Sequence, residues 1–355
     1  MRKNNKLDFN SNWITIVPIK GLWLTESINN EIKVGNVIFV TRNKLPRIRK
    51  RIGIKVPVSK LSEIGLNNPT SFKERIKDFF KSSKTYAVLN FSGIPKENYN
   101  SNIRLIEDAI NLISFSTLGY STRKFNSKID IKNSEYALNN RTLVIDKKNL
   151  RLILGNKSKY PLPLELNERW KNFHNSFHFH KLLKIVNGEI KINRKWKNLL
   201  ISVAKIVGKS LNSHDIPESF LKNVIALEML LVNQDGKIKE KIIERSSYLL
   251  DWCDKWEKEK IEDKINDIYK KRCDYVHDGK YEDITKEDLI FTDDLIFNIY
   301  NNLLKNIDKI SSKGKLIEFS DKYKCEKKLN LKSKFQFGKF QYTSKTYEKS
   351  EIENI

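Results

Sequence analysis

Short runs of β-branched and aromatic residues, bounded by turn-forming residues, recur through the first part of the chain. They indicate β-strands at 13–19, 37–40, 86–91 and 142–146. Apolar residues spaced three and four apart predict two amphipathic helices between them, at 71–81 and 103–118. Residues 1–165 are therefore expected to form an α+β domain.

The pattern changes after Pro161 and Pro163, where strand signals become rare. Helical periodicity then predicts helices at 165–185, 194–212, 217–233, 236–256, 258–277 and 286–311. Long helices joined by short breaks favour an up-and-down bundle over residues 166–312. Residues 313–355 alternate lysines with scattered aromatic residues and show no sustained period. We expect them to form a basic, partly disordered C-terminal tail.

Length and composition limit the class of protein. The chain has 355 residues, and 39% of them are hydrophobic, which suffices for two or more folded domains. We find neither an uncharged apolar stretch long enough for a transmembrane helix nor a secretory signal. Three widely spaced cysteines suit free thiols in a reducing compartment. A cytoplasmic protein without membrane partners is expected.

The formal net charge of +24 favours polyanionic partners such as nucleic acid. A chain this rich in Lys, Asn and Ile could also reflect an AT-rich genome, so local clusters carry more weight. The densest basic run, 42–51, supplies the candidate RNA-binding residues Arg47, Arg49, Lys50 and Arg51. A solvated basic loop is the alternative. The aromatic and basic tail suits single-stranded nucleic acid, or else a short strand packed on the body.

Arg272 and His277 lie five positions apart at the end of a helical pattern, just before a glycine. An arginine can grip a phosphate with fixed N–H donors, and a histidine can move a proton near neutral pH. RNA carries its own nucleophile, the 2′-hydroxyl, so the pair could cleave RNA without a metal or cofactor. The alternative is an exposed arginine and a histidine that favours the helix dipole.

Other candidate sites are weaker. His174, His178 and His180 could place two imidazoles on one helix face for zinc, but no fourth ligand is apparent and the interleaved phenylalanines favour a core. Gly208-Lys209-Ser210 resembles the end of a P-loop, yet it lies in a predicted mid-helix segment. Motifs of zinc proteases, zinc ribbons, α/β-hydrolases and Rossmann enzymes are missing from the sequence.

Three segments occur in a recognisable order. The first segment is an apolar helix, 220–231, that contains Ala226-Leu227-Glu228. The second begins with Glu244-Arg245, and the third is Tyr269–His277. This order resembles the HEPN superfamily, and within it the ApeA-like branch of bacterial antiphage proteins. The resemblance covers about residues 166–312.

The resemblance implies a helical bundle that forms a homodimer, in which the two Arg-x4-His motifs face each other and build one ribonuclease site. Arg272 would hold the scissile phosphate and His277 would act as general acid or base, with Asp274 supporting them. This chain departs from the family pattern at Cys273 and at Asp278, which separates His277 from the glycine.

Glu228 and Arg245 are the remaining supporting residues. A lone acid in an apolar helix usually needs a partner, and we expect Glu228 to form a structural salt bridge with Arg245. Orientation of Arg272 by Glu228 is the alternative.

The sequence therefore predicts an α+β N-terminal domain followed by an all-α HEPN-like helical bundle. The expected function is metal-independent endoribonuclease activity on RNA, in bacterial antiphage defence by abortive infection. A phage-derived trigger or a restraining partner would act through the N-terminal domain. A non-catalytic RNA-binding or dimerising scaffold is the first alternative, and a sequence-independent DNA-binding protein is the second.

Overall fold

The computed structural model describes residues 13–45, 79, 81–92, 95–121, 123, 128–131, 141–146, 151–156, 163–176, 178–233, 236–250, 258–329 and 331. The chain divides into two compact units. The first, here the strand unit, comprises Met1–Ile32, Val37–Glu107 and Phe125–Leu166. The second, the helical unit, comprises Lys33–Asn36, Asp108–Lys124 and Asn167–Ile355.

Strands dominate the first part of the chain, as the runs of β-branched and aromatic residues predict. Their bounds are β1 Trp13–Lys20, β2 Leu22–Leu24, β3 Glu31–Val34, β4 Val37–Thr41, β5 Thr85–Phe91, β6 Asp130–Ile131, β7 Arg141–Asp146, β8 Arg151–Asn156 and β9 Leu164–Leu166. Two short 3-10 helices, Glu26–Ile28 and Arg42–Lys44, lie between strands. The four predicted strands are all confirmed.

The main sheet has five strands in the order β3-β4-β5-β1-β6. The central strand β5 pairs antiparallel with both β4 and β1, and its run from Thr85 to Leu89 is buried on both faces. A continuous apolar run is what such a strand needs. In addition, β2 pairs parallel with β9, and β7 pairs antiparallel with β8.

Helix α1 spans Pro95–Phe115 and so begins before the predicted start at 103. A proline is tolerated in the first helical turn, where its missing N–H has no intrahelical partner. The predicted helix at 71–81 lies outside the described residues except for Phe79 and Lys81. Phe79 packs against a buried cluster that includes Tyr86, and their ring centroids lie 6.0 Å apart.

The C-terminal part is mostly helical. The bounds are α2 Glu168–His174, α3 His178–Val186, α4 Arg194–Asn212, α5 Ile216–Leu231, α6 Ile238–Leu249, α7 Lys258–Asp278, α8 Lys286–Lys305 and α9 Lys313–Lys328. The architecture is therefore α+β followed by helical, as the sequence pattern predicts.

Two details of the helical part differ from prediction. The helix expected over 165–185 is divided into α2 and α3 between His174 and His178. Helix α9 occupies the start of the segment that we expected to be an irregular tail, because Leu316, Phe319 and Ser320 are buried along one side of it. The aromatic part of the tail, from 332 onward, lies outside the described residues.

Helix starts follow the capping chemistry of the sequence. Side chains of Asn167, Asn193 and Asp215 accept backbone N–H groups at the starts of α2, α4 and α5. Thr285 and Asp288 form a reciprocal capping box at the start of α8. Helix α8 is buried along almost its whole length and packs against α3, α5 and α6, so it forms the centre of the bundle.

The helical unit includes a segment that the sequence assigns to the first domain. Asp108 forms an ion pair with Lys205 of α4, their charged atoms 2.9 Å apart, and the hydroxyl of Ser114 accepts a hydrogen bond of 2.8 Å from Asn212. Because these contacts link residues about a hundred positions apart in sequence, the hydrophobic pattern does not reveal them. The observed units thus differ from the contiguous domains predicted with boundaries at 165 and 312.

A buried polar network also connects this segment to the bundle. Arg123 binds Asp293 of α8 through two contacts of 2.6 and 2.8 Å, and it donates to the carbonyl and hydroxyl oxygens of Ser210 at 2.8 Å each. Asn223 of α5 donates to Asp293 at 2.8 Å. The charges of Arg123 and Asp293 are therefore matched inside the unit.

No helix in the described ranges is both long enough and apolar enough to cross a membrane.

Candidate active site on the helical unit

Arg272 and His277 both lie on α7, near its C-terminal end. The helix ends where Gly279 adopts a left-handed conformation with φ of 70°. Its N–H donates to the carbonyl of Tyr275 at 3.1 Å, and the N–H of Lys280 donates to the carbonyl of Asp274 at 3.2 Å. Glycine adopts this conformation at little steric cost, so the predicted glycine stop is confirmed.

The guanidinium of Arg272 is held from α5. Its Nε lies 3.0 Å from Oε1 of Glu228, and its Nη2 donates to Oε2 at 3.3 Å. Each of the two side chains is only 18% exposed. The guanidinium carbon also lies 5.9 Å from the ring centroid of Tyr269, one helical turn earlier. These contacts place the positive charge of Arg272 against the Glu228 carboxylate of α5.

The expected salt bridge between Glu228 and Arg245 is not formed. The Arg245 guanidinium instead donates through Nη1 to the carbonyl of Leu231 and, at 3.0 Å, to Oδ1 of Asn233. Arg245 is almost fully buried, and it satisfies the Leu231 carbonyl at the C-terminal end of α5, where intrahelical donors run out. The Glu228 carboxylate contacts Arg272 instead.

His277 lies in the last turn of α7 and is exposed. The neighbouring Asp278 carboxylate forms an ion pair with Lys280, at 3.2 Å. Asp274 is half-buried, and the described part of the chain provides no side-chain partner for its carboxylate. The imidazole of His277 is thus accessible to a ligand or to another protein molecule.

Helix geometry separates the two motif residues. Five positions along an α-helix correspond to about 140° of rotation and roughly 7.5 Å of rise. Arg272 therefore turns toward α5, while His277 points away from it at the helix end. A single protomer does not bring the two side chains to the same face.

A largely apolar groove of about 580 Å³ lies beside the Glu228 side chain. Residues of α5, α6 and α9 line it, among them Met229, Val232, Ile238 and Ile317. Lys313 crosses its edge and donates to the carbonyls of Met229, at 2.9 Å, and Val232. Sequence reasoning missed this residue, because the signal for α9 was hidden in a lysine-rich segment.

The histidine cluster forms part of the core. His174 donates through Nε2 to the carbonyl of Ser116 at 2.9 Å, and burial lowers its pKa to about 3. His178 is fully buried against the rings of Phe115 and Phe297, and burial lowers its pKa well below the usual value. In the part of the chain that the structure describes, no group of three His, Cys, Asp or Glu residues could hold a metal.

The P-loop-like segment and the basic run are the two remaining candidates. Gly208-Lys209-Ser210 lies within α4, which excludes a P-loop at this position because that motif requires a loop before its helix. The basic residues Arg47, Arg49, Lys50 and Arg51 lie outside the described residues.

Three comparisons with known proteins gave no match to a family model, a curated protein or a solved structure. The resemblance to the HEPN superfamily therefore depends on the three sequence segments alone.

Proposed function

We propose that this protein is a metal-independent endoribonuclease of the HEPN type, with an active site built from Arg272 and His277 of two copies of the chain. The observation that carries the proposal is the Glu228–Arg272 ion pair, with 3.0 Å between Nε and Oε1. It joins two of the three segments on which the resemblance rests.

The chemistry follows from the two side chains. The 2′-hydroxyl of the RNA attacks the adjacent phosphorus, and the bond to the 5′-oxygen of the next nucleotide breaks. A histidine that accepts the hydroxyl proton, or donates one to the leaving oxygen, contributes a factor of about 10²–10⁴. Arg272 stabilises the charge that grows on the phosphate oxygens. The products are a 2′,3′-cyclic phosphate and a 5′-hydroxyl.

A second copy supplies what one protomer lacks. Since about 140° of helix rotation separates Arg272 from His277, an RNA phosphate held by one Arg272 would meet the exposed histidine of the other copy. A homodimer that brings the ends of two α7 helices together would provide both a base and an acid.

Glu228 is proposed as a positioning residue. Its carboxylate holds the arginine in one orientation before RNA binds, and a preorganised donor is worth more than one that must rearrange. The pair is 18% exposed on each side, so an incoming phosphate can still reach the remaining N–H groups of the guanidinium.

The resemblance to ApeA-like proteins supports a role in bacterial antiphage defence by abortive infection. A ribonuclease active at all times would damage its own cell, so restraint is expected. The strand unit is our candidate for the element that responds to a phage-derived trigger or to a restraining partner.

Incubation of the purified protein with end-labelled single-stranded RNA in EDTA tests the proposal. Cleavage is expected, with 2′,3′-cyclic phosphate ends, while DNA of the same sequence stays intact because it lacks the 2′-hydroxyl. Arg272→Ala and His277→Ala should each lower the rate by at least about 100-fold. Glu228→Gln should lower it less, and Glu228→Asp should restore part of the loss.

Lys270→Ala is the matched control, since Lys270 is an exposed basic residue on the same helix and its loss changes the charge of α7 equally. Cleavage that persists in the Arg272→Ala, His277→Ala double variant would refute the assignment of the site. Equal losses in Lys270→Ala and Arg272→Ala would reduce the role of Arg272 to general electrostatic attraction.

One observation favours a second candidate, a non-catalytic RNA-binding or dimerising scaffold. The Glu228 carboxylate matches the charge of Arg272, as in a structural ion pair that links α5 to α7. RNA binding by the parent and by the double variant alike, without cleavage by either, would establish this function in place of the nuclease.

A further inference from the structure

A second candidate site lies in the strand unit, far in sequence from the Arg272 motif. A groove of about 330 Å³ opens where β4 ends and β5 begins. Its volume lies at the lower end of the range for small-molecule sites. Its lining residues are Trp23, Leu24, Glu26, Asn30, Thr41, Arg42, Asn43, Lys84 and Glu165.

Trp23 is the aromatic wall of this groove. It lies at the middle of β2, between the buried residues Leu22 and Leu24, and is 38% exposed. The neighbouring strand β9 repeats the pattern, and its exposed Glu165 is paired in register with Trp23. The two side chains therefore project from the same face of the ribbon. An exposed tryptophan at a strand centre offers a flat surface on which a base can stack.

One cation covers a face of the Trp23 ring, and a second lies beside the first. The ammonium of Lys84 lies 3.4 Å from the centroid of the Trp23 ring. The backbone N–H of Arg42 donates to the carbonyl of Lys84 at 2.9 Å, so the ends of β4 and β5 hold Arg42 and Lys84 side by side. Both are exposed, and the described residues provide no acidic partner for either side chain.

The groove contains an unsatisfied polar group as well. The hydroxyl of Thr41 is buried and has no hydrogen-bond partner among the described residues. Such groups are rare in folded proteins, and each calls for an explanation. Asn30 and Asn43 add amide groups that can both donate and accept hydrogen bonds.

We propose that this groove binds one nucleotide unit, in which the base displaces the Lys84 ammonium from the Trp23 ring and stacks there, with the phosphate held by Arg42 and Lys84. The carboxylates of Glu26 and Glu165 are suited to accept hydrogen bonds from ribose hydroxyls or base amino groups. A free nucleotide and an RNA end share this chemistry. The site does not depend on the proposed nuclease, because it uses no residue of the helical unit.

Isothermal titration calorimetry on the full-length Arg272→Ala, His277→Ala variant tests the proposal without interference from RNA cleavage. The probes are GMP, AMP, guanosine, ribose 5-phosphate and a 5′-phosphorylated tetra-adenylate, each up to about 1 mM. At least one mononucleotide or the tetranucleotide should bind. Guanosine and ribose 5-phosphate should bind at least ten-fold more weakly than GMP, since each lacks one half of the recognised unit.

Substitutions identify the site. Trp23→Leu and Arg42→Gln should each weaken binding at least ten-fold, whereas Trp23→Phe keeps an aromatic surface and should retain most of it. Lys44→Gln is the matched control. Lys44 belongs to the same basic run, but it forms an ion pair of 2.9 Å with Glu31 and does not line the groove. Thermal unfolding checks that each variant is folded.

The outcomes are distinct. Tighter binding of the tetranucleotide than of AMP assigns the groove to an RNA end, and the reverse order assigns it to a free nucleotide. No binding of any probe by the folded Arg272→Ala, His277→Ala variant, or binding that the further substitutions Trp23→Leu and Arg42→Gln leave unchanged, would overturn the proposal.

Discussion

Glu228 and Arg272 lie 44 positions apart in sequence, and their side chains meet although the sequence favoured a different partner for the acid. The apolar residues around Glu228 indicate that its charge needs a cationic partner. Judged from the sequence alone, either Arg245 or Arg272 could be that partner. Packing decides between them. The side chain of Arg245, on α6, reaches the Leu231 carbonyl at the end of α5, whereas Arg272, on α7, reaches the Glu228 carboxylate in the last turn of α5.

Two buried histidines should make the stability of the protein depend on pH. Burial lowers the pKa of His174 to about 3 and that of His178 well below the usual value, so both are neutral in the folded protein near pH 7. Both would bind protons in the unfolded chain below about pH 6.5. The free energy of unfolding should therefore be highest above about pH 6.5. Below that pH it should fall by about 1.4 kcal/mol per histidine for each pH unit.

Urea unfolding between pH 7.5 and 5.5 measures this loss. His178→Leu should reduce the pH dependence by about half, since that side chain no longer titrates, and it leaves no hydrogen bond broken because neither ring nitrogen of His178 has a partner among the described residues. His277→Leu, at an exposed position at the end of α7, is the control. A steep dependence that survives His178→Leu would contradict the argument.

At the scale of elements, the close approach of α1 and α4 explains why position 208 is a glycine. A Cβ on Gly208 would collide with the carbonyl oxygen of Asn111 and lie 2.6 Å from the carbonyl carbon. The Gly-Lys-Ser sequence that resembles a phosphate-binding loop is therefore a packing feature of α4. Helical periodicity around Gly208 already predicts that it is not a loop, but it does not reveal the neighbouring backbone.

Gly208→Ala should lower the free energy of unfolding by about 3 kcal/mol, because a backbone neighbour can move aside only if the two helices separate. Gly314→Ala is the matched control, since its Cβ would meet nothing closer than the Ser312 hydroxyl at 3.8 Å. That change should leave stability unchanged or raise it by up to about 1 kcal/mol through helix propensity. Chemical unfolding of both variants measures the difference. Equal stabilities would show that α1 and α4 can separate freely.

At the scale of the whole molecule, ion pairs and hydrogen bonds across long sequence separations define the units. The segment Asp108–Lys124 belongs to the helical unit, where Arg123 meets Asp293 at 2.6 Å. Both side chains are almost fully buried. Such a network costs desolvation when it forms, but it permits only one arrangement of the segment.

Asp293→Asn should destabilise the protein by about 3–5 kcal/mol, because it leaves the Arg123 charge buried and unpaired. The Arg123→Met, Asp293→Leu double variant removes both charges and should lose less stability than Asp293→Asn alone. Urea unfolding of the three proteins tests this order. A double variant less stable than Asp293→Asn would mean that the ion pair is itself a net source of stability, and that the unpaired Arg123 charge is not the main cost of Asp293→Asn.

The sequence by itself determined the local elements. Runs of β-branched and aromatic residues predicted four strands, helical spacing predicted the helices of the C-terminal part, and Gly279 marked the end of α7. These signals are local, because each depends on the conformational preference of a few neighbouring residues. The motif of Arg272 and His277 was likewise visible, since both residues lie on one helix.

Only the tertiary structure decided how distant residues meet. In the structure, Glu228 pairs with Arg272, the end of α1 packs in the helical unit, and the start of the lysine-rich tail forms α9. The fold also places Trp23, Arg42 and Lys84 around one groove. Hydrophobic periodicity states which face of an element is buried and not what covers it, so several partners of the right charge and size remain compatible with one sequence until packing selects among them.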